Sequence, residues 1–161
     1  MIDFEQAKKM LTIDEARKYK PYFDSRGVLS IGIGRNLIAR GWTYTEIQEY
    51  LKIFGGALTD EMIDSWFVTD VSDALRSAIK IFGVEMFSSW SDLQRLGVLN
   101  MIFNMGEKRF LTFKRTIKII KLGEWEQARE NAKLSLWAQQ VGKRSERVTS
   151  LFINKDLYGL T

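Results

Sequence analysis

The sequence predicts an α+β fold that is mostly helical. Two observations carry this reading. Ser30-Ile31-Gly32-Ile33-Gly34 alternates small or polar with apolar residues, as a strand does when its backbone must be approached closely. Much of the chain beyond Thr43 instead repeats its apolar residues at helical spacing behind capping sequences. Pro occurs once in 161 residues and hydrophobic residues make up 45%, which supports a core and argues against disorder. By length this is one domain, or two lobes sharing a core.

The elements follow in order. Residues 3 to 15 form a short amphipathic helix on Phe4, Ala7 and Leu11, with Asp3 as N-cap and Gln6 three residues on. It ends on Glu15. Residues 17 to 37 form a β-hairpin punctuated by Pro21 and Gly27. Thr43-Tyr44-Thr45-Glu46 is a capping box for a helix to about residue 54, closed by Gly55-Gly56. Thr59-Asp60-Glu61 caps a long helix to about residue 82, with a stripe through Met62, Trp66, Val71, Leu75 and Ile79. That stripe is long enough to span two lobes.

Gly83 breaks the pattern, and Ser91-Asp92 caps a helix over 93 to 105 that is apolar nearly all round, as a core helix is. Asn100 and Asn104 share one face of it, where a polar pair is either hydrogen-bonded in the core or lines a wet cleft. Residues 107 to 122 set six cations against one acid, Glu107, over a core stripe of Phe110, Phe113, Ile117 and Ile120. This is a solvated face, or a basic surface toward an anionic wall. Gly123 closes it. A helix over 124 to 134 turns Trp125 and Ala128 inward, Trp137 belongs to the core, and Gly142 precedes a last helix over 143 to about 153.

Cys and His are both absent. That excludes disulfides, thiolate chemistry, His-based triads and most zinc sites, so no metal or cofactor is expected. Catalysis would rest on carboxylates, hydroxyls, Lys or Tyr. The net charge of +4 favours an anionic partner, but no nucleic-acid motif accompanies it. The start of the chain has neither a basic nor an apolar signal region, and no run approaches a transmembrane span. A soluble protein with no export signal of its own is expected.

Glycosidic cleavage needs an acid for the leaving oxygen and a carboxylate that activates water or attacks the sugar. Glu15 and Asp24 supply both, and Ser30 lies far enough past the turn to help hold a water beside Asp24. Spacing alone leaves Glu15 equally readable as a solvated surface residue. It leaves Asp24-Ser25-Arg26-Gly27 readable as an ordinary turn.

At these positions the chain resembles the T4-type phage lysozymes. Glu15, eight residues, Asp24, five residues, Ser30 matches the family's Glu–Asp–Thr spacing, and Ile31-Gly32-Ile33-Gly34 follows in place. The stretch from Asn100 to Glu107, the Trp125 segment, and Trp137 with Arg144 and Arg147 recur in order, so the likeness covers essentially the whole chain. It implies a lysozyme-like architecture: a small β-hairpin lobe (about 16–58), a linking helix (about 59–82), and a larger helical lobe (about 83–161) with helix 1–15 packed on it. The implied activity is a monomeric muramidase, cutting the β-1,4 bond between N-acetylmuramic acid and N-acetylglucosamine in bacterial peptidoglycan.

In that reading Glu15 is the acid, Asp24 and Ser30 hold the attacking water, and the anomeric centre inverts. Inverting carboxyl pairs stand roughly 6.5–9.5 Å apart. Asn36, Phe103, Asn104, Thr116 and Asn131 are the implied substrate contacts. Trp137 backs Glu15, Arg144 pairs with Glu15, and Arg147 with Asp14. Lacking a signal, such an enzyme is made in the host cytoplasm and reaches the wall through a pore or on a virion. Three residues depart from the pattern: Ser30 stands for Thr, Arg26 for an acid, and Arg35 for a His that pairs with the residue at Asp70. A wall- or membrane-binding module without activity and a lytic transglycosylase are the alternatives.

Overall fold

The computed structural model describes all 161 residues. It has nine helices and one three-stranded sheet, so the class is α+β and mostly helical, as the sequence and the resemblance imply. The chain divides into two compact units, Lys8–Asp70 and Met1–Ala7 with Val71–Thr161. Helix α1 (Phe4–Glu15) begins in the second unit and ends in the first. Asp3 caps it by accepting from the Glu5 and Gln6 N–H groups at 2.9 and 3.2 Å. The Gln6 side chain does not close a capping box. Its amide donates to the Leu160 carbonyl.

In the Lys8–Asp70 unit, β1 (Lys18–Phe23), β2 (Leu29–Gly32) and β3 (Arg35–Asn36) form an antiparallel sheet in that order. Pro21 sits on the edge strand β1, within the stretch between Lys18 and Tyr22 where the register shifts. The central strand β2 is buried throughout. The sequence pattern predicts a hairpin; the third strand arises because Gly32 (φ 65°) and Gly34 (φ 64°) turn the chain back within two residues.

Helix α2 (Tyr44–Lys52) carries the full Thr43–Glu46 capping box. Thr59 accepts from the Met62 N–H at the start of α3 (Asp60–Phe82). The unit closes over Leu29, Ile31, Leu37, Ile47, Leu51 and Ile63, each at most 2% exposed. Burying such a side chain stabilises by about 1.5–3 kcal/mol. Arg35 forks onto both oxygens of Asp70 at 3.0 Å and lies 4.6 Å over the Trp66 ring, so the pair that the resemblance implies at these positions is formed with Arg in place of His. Arg40 joins the same carboxylate, a contact that no spacing or motif anticipates.

The other unit holds the rest of α3, then α4 (Val84–Ser89), α5 (Asp92–Phe110), α6 (Lys114–Lys121), α7 (Trp125–Lys133), α8 (Leu136–Val141) and α9 (Lys143–Phe152). Ser91 and Gln94 make a capping box for α5, which is buried from Leu93 through Ile102. Its backbone leaves helical geometry at Gly106 (φ 79°, ψ 160°), so the predicted stop at 105 marks a real kink. Gly97 lets α9 come close: a Cβ there would meet the Phe152 ring at 3.0 Å. Phe82, Trp90, Trp125 and Phe152 continue the packing as edge-to-face aromatic pairs.

Candidate active site

Glu15 is the last residue of α1. Gly34 lies against it so closely that a Cβ at position 34 would stand 2.7 Å from both Cγ and Cδ of Glu15. Gly34, which helps turn β2 into β3, therefore also leaves room for this carboxyl group.

Asp24 is held by turn chemistry. Its N–H donates to the Val28 carbonyl at 3.0 Å, and its carbonyl accepts from Gly27 N–H at 2.9 Å. Its Oδ1 accepts from the N–H groups of Arg26 and Val28, both at 2.8 Å. The ordinary-turn reading and the functional reading thus describe the same geometry: the turn fixes the carboxylate. Oδ1 is committed to the backbone, and Oδ2 is left to accept from another donor.

Ser30 sits on β2, only 4% exposed, and its hydroxyl donates to the Val28 carbonyl at 3.0 Å. The Asp24 carboxylate and the Ser30 hydroxyl therefore hold opposite ends of residue 28, the Asp24 N–H sharing the carbonyl with Ser30. With its proton committed, the Ser30 oxygen offers lone pairs to any further partner.

The strand register adds a residue that sequence reasoning missed. Tyr22 pairs directly with Ser30 across β1 and β2, and Asn36 pairs with Ser30 across β2 and β3. Tyr22, Ser30 and Asn36 thus form one cross-strand row. Burial raises the Tyr22 phenol above its ordinary value of 10.0, and the negative charges of Glu15 and Asp24 raise it further. One half-buried ring therefore senses both carboxylates. Asn36 spends its Oδ1 on the Ala39 N–H at 2.9 Å, which anchors the following turn.

The other anticipated residues lie in the helical unit, where they form two groups. Thr116 donates to Asn131 Oδ1 at 2.7 Å, and both line a pocket of about 370 Å³ with Phe113, Trp137 and the cations Arg109 and Arg115. Trp137, 1% exposed, donates its indole N–H to Asn104 Oδ1 at 2.9 Å. Arg144 is buried and donates through Nε and Nη2 to Asn100 Oδ1 at 3.1 and 2.9 Å. Arg147 lies 5.7 Å from the centre of the Tyr158 ring. Phe103 is half-buried on α5. The asparagine pair on α5 is thus engaged by side chains, an indole and a guanidinium, rather than left to the backbone.

No family model matches the chain. Among curated proteins it is similar to "Probable T4-type lysozyme 1" of Dictyostelium discoideum, at 29% identity over 89% of this chain and 91% of that one. A second protein of that organism, "Probable T4-type lysozyme 2", is 29% identical over 90% and 92% of the two chains. The chain also matches a part of the "Pre-baseplate central spike protein Gp5" of Enterobacteria phage T4, at 29% identity over 94% of this chain and 28% of that protein. By these likenesses the chain is related to the T4-type lysozymes.

Proposed function

We propose that the protein is a peptidoglycan hydrolase, a muramidase cleaving the β-1,4 bond between N-acetylmuramic acid and N-acetylglucosamine with inversion. The observation that carries this reading is the Lys8–Asp70 unit's pair of carboxylates. Glu15 and Asp24 both bear on Tyr22, and Asp24 is fixed through the residue that Ser30 also holds. The two Dictyostelium relatives named as T4-type lysozymes support it.

Glu15 donates its proton to the glycosidic oxygen as the bond from that oxygen to the anomeric carbon breaks. Water attacks the same carbon from the opposite face. Asp24 Oδ2 takes one proton of that water, while the Ser30 oxygen accepts a hydrogen bond from the other. The new hydroxyl takes the inverted configuration, and solvent returns a proton to Glu15 and removes one from Asp24. On the helical unit taken by itself, Thr116, Asn131 and Asn104 carry amide and hydroxyl groups of the kind that bind a sugar or its peptide. Delivery to the wall through a pore or on a virion belongs to the same reading. The likeness to a segment of a phage spike protein supports the second route.

Purified peptidoglycan digested with the wild type, Glu15→Gln and Asp24→Asn tests this. The wild type should release reducing muramic acid ends, with the freshly formed anomer inverted in time-resolved NMR. Each variant should lose at least about 100-fold in rate. Anhydro-muramyl ends would assign the chain to the transglycosylases instead. Undiminished clearing by both variants would remove the carboxylate mechanism.

A further inference from the structure

Helix α6 of the helical unit is amphipathic. Thr116, Ile117 and Ile120 turn inward and are at most 9% exposed. Lys114, Lys118 and Lys121, spaced i, i+4, i+7, stand along one stripe of the helix and are exposed. Beside this stripe runs an open groove of about 590 Å³ with an apolar floor of Ile81, Leu111, Ile117 and Leu122. Two of these stay open to solvent, Leu111 at 43% and Leu122 at 67%.

The charges around the groove are one-sided. Across from α6 stand Lys80 and Glu107, paired at 2.7 Å, and the second Glu107 oxygen accepts from Ser77 at 2.8 Å. The only acid lining the groove is therefore engaged, and its partner is not an α6 lysine. Lys121 reaches only the Phe82 ring, 6.0 Å away.

We propose that this groove and the α6 lysines dock on an anionic phospholipid bilayer. The ammonium groups meet the headgroup phosphates, and Leu111 and Leu122 enter the boundary with the acyl chains. An anionic wall polymer would be served by the cations alone and gives the apolar floor no role. No helix of the protein is long and apolar enough to cross a membrane, so the contact lies in the interface plane. The proposal is independent of the hydrolase reading.

Sedimentation of the full chain with vesicles tests it, using equimolar phosphatidylglycerol and phosphatidylcholine against phosphatidylcholine alone, at about 0.1 M salt. Binding is expected on the anionic vesicles only. Lys118→Gln with Lys121→Gln should weaken it by about 25-fold, roughly five-fold for each lysine. Leu111→Ser with Leu122→Ser should weaken it by at least about five-fold. Circular dichroism and melting temperature establish that each variant is folded. Leu122→Ser alone, at the more exposed site, replaces the leucine pair if that pair unfolds. Failure of the wild type to bind, or undiminished binding by the lysine variant, overturns the proposal. Binding that needs the lysines but not the leucines also overturns it, and marks the surface as one for a soluble anionic polymer.

Discussion

A methyl group at position 34 would collide with the carboxyl stem of Glu15, at 2.7 Å from two of its carbons, on a backbone whose φ is +64°. Gly34→Ala is therefore expected to act twice. The left-handed backbone costs about 1 kcal/mol with a side chain. In the mechanism proposed above, displacing Glu15 by about an ångström should also cost about 100-fold in rate. A melting curve and a peptidoglycan clearing assay on the same sample separate the two effects. A variant as stable and as active as the wild type would show that Glu15 does not need its position.

Tyr22 offers a readout of both carboxylates without any substrate. Its phenol ionises above the ordinary 10.0, first through burial and then through Glu15 and Asp24. The folded state thus holds a proton that the unfolded state gives up, so this residue's contribution to stability falls as the pH rises past 10. An ultraviolet titration of tyrosinate, with Tyr22→Phe subtracted, isolates the transition among the five tyrosines. Glu15→Gln and Asp24→Asn should each move it down toward 10. Glu15, Asp24 and Ser30 were legible as residue types at telling intervals. Tyr22 was not, because its role depends on the register across an irregular strand. At Gly34 the close approach was legible in the pattern, but not that Glu15 is the group that approaches.

At the level of elements, caps were the most readable feature. Thr43 with Glu46 was readable as a capping box and Ser91 as a cap, and both open helices; Gln94, which completes the second box, was not anticipated. The six-residue helices α4 and α8 were not anticipated, being less than two turns long and too short to display a periodicity. The third strand is two residues long and was hidden for the same reason. Between α7 and α9, Glu146 bridges Arg129 at 2.7 Å and Lys133 at 3.1 Å. Its carboxyl lies below the ordinary 4.5, chiefly through the Lys133 contact and also through Arg129, against the opposing effect of burial. A depressed folded value stabilises above 4.5 and is lost as the pH falls through that lower value. Glu146→Gln is therefore expected to lower stability at pH 6 by less than about 1 kcal/mol, the side chain being partly solvated. The deficit should close toward pH 2. Urea unfolding of both proteins across that range checks it, and a deficit independent of pH would assign the effect to packing.

For the molecule as a whole, charge is the property read most directly from the sequence. Twenty-four Lys and Arg face twenty Asp and Glu, with no His to change the balance near neutral pH. The excess of four is modest, yet much of the basic character falls in one stretch: residues 107 to 122 carry six cations and one acid. Cations of that kind attract any anionic surface, a wall as well as a bilayer, from a distance, and salt screens the attraction, with a Debye length of about 10 Å at 0.1 M. Binding of the Asp24→Asn variant to purified sacculi, where turnover does not erode the substrate, should therefore weaken several-fold between about 0.02 and 0.2 M salt. Most of the loss should appear in the association rate, because steering acts before contact, whereas the dissociation rate reports the sugar contacts. A flat salt profile would mean that short-range hydrogen bonds alone hold the wall. In that case the basic stretch would be free to serve a surface other than peptidoglycan.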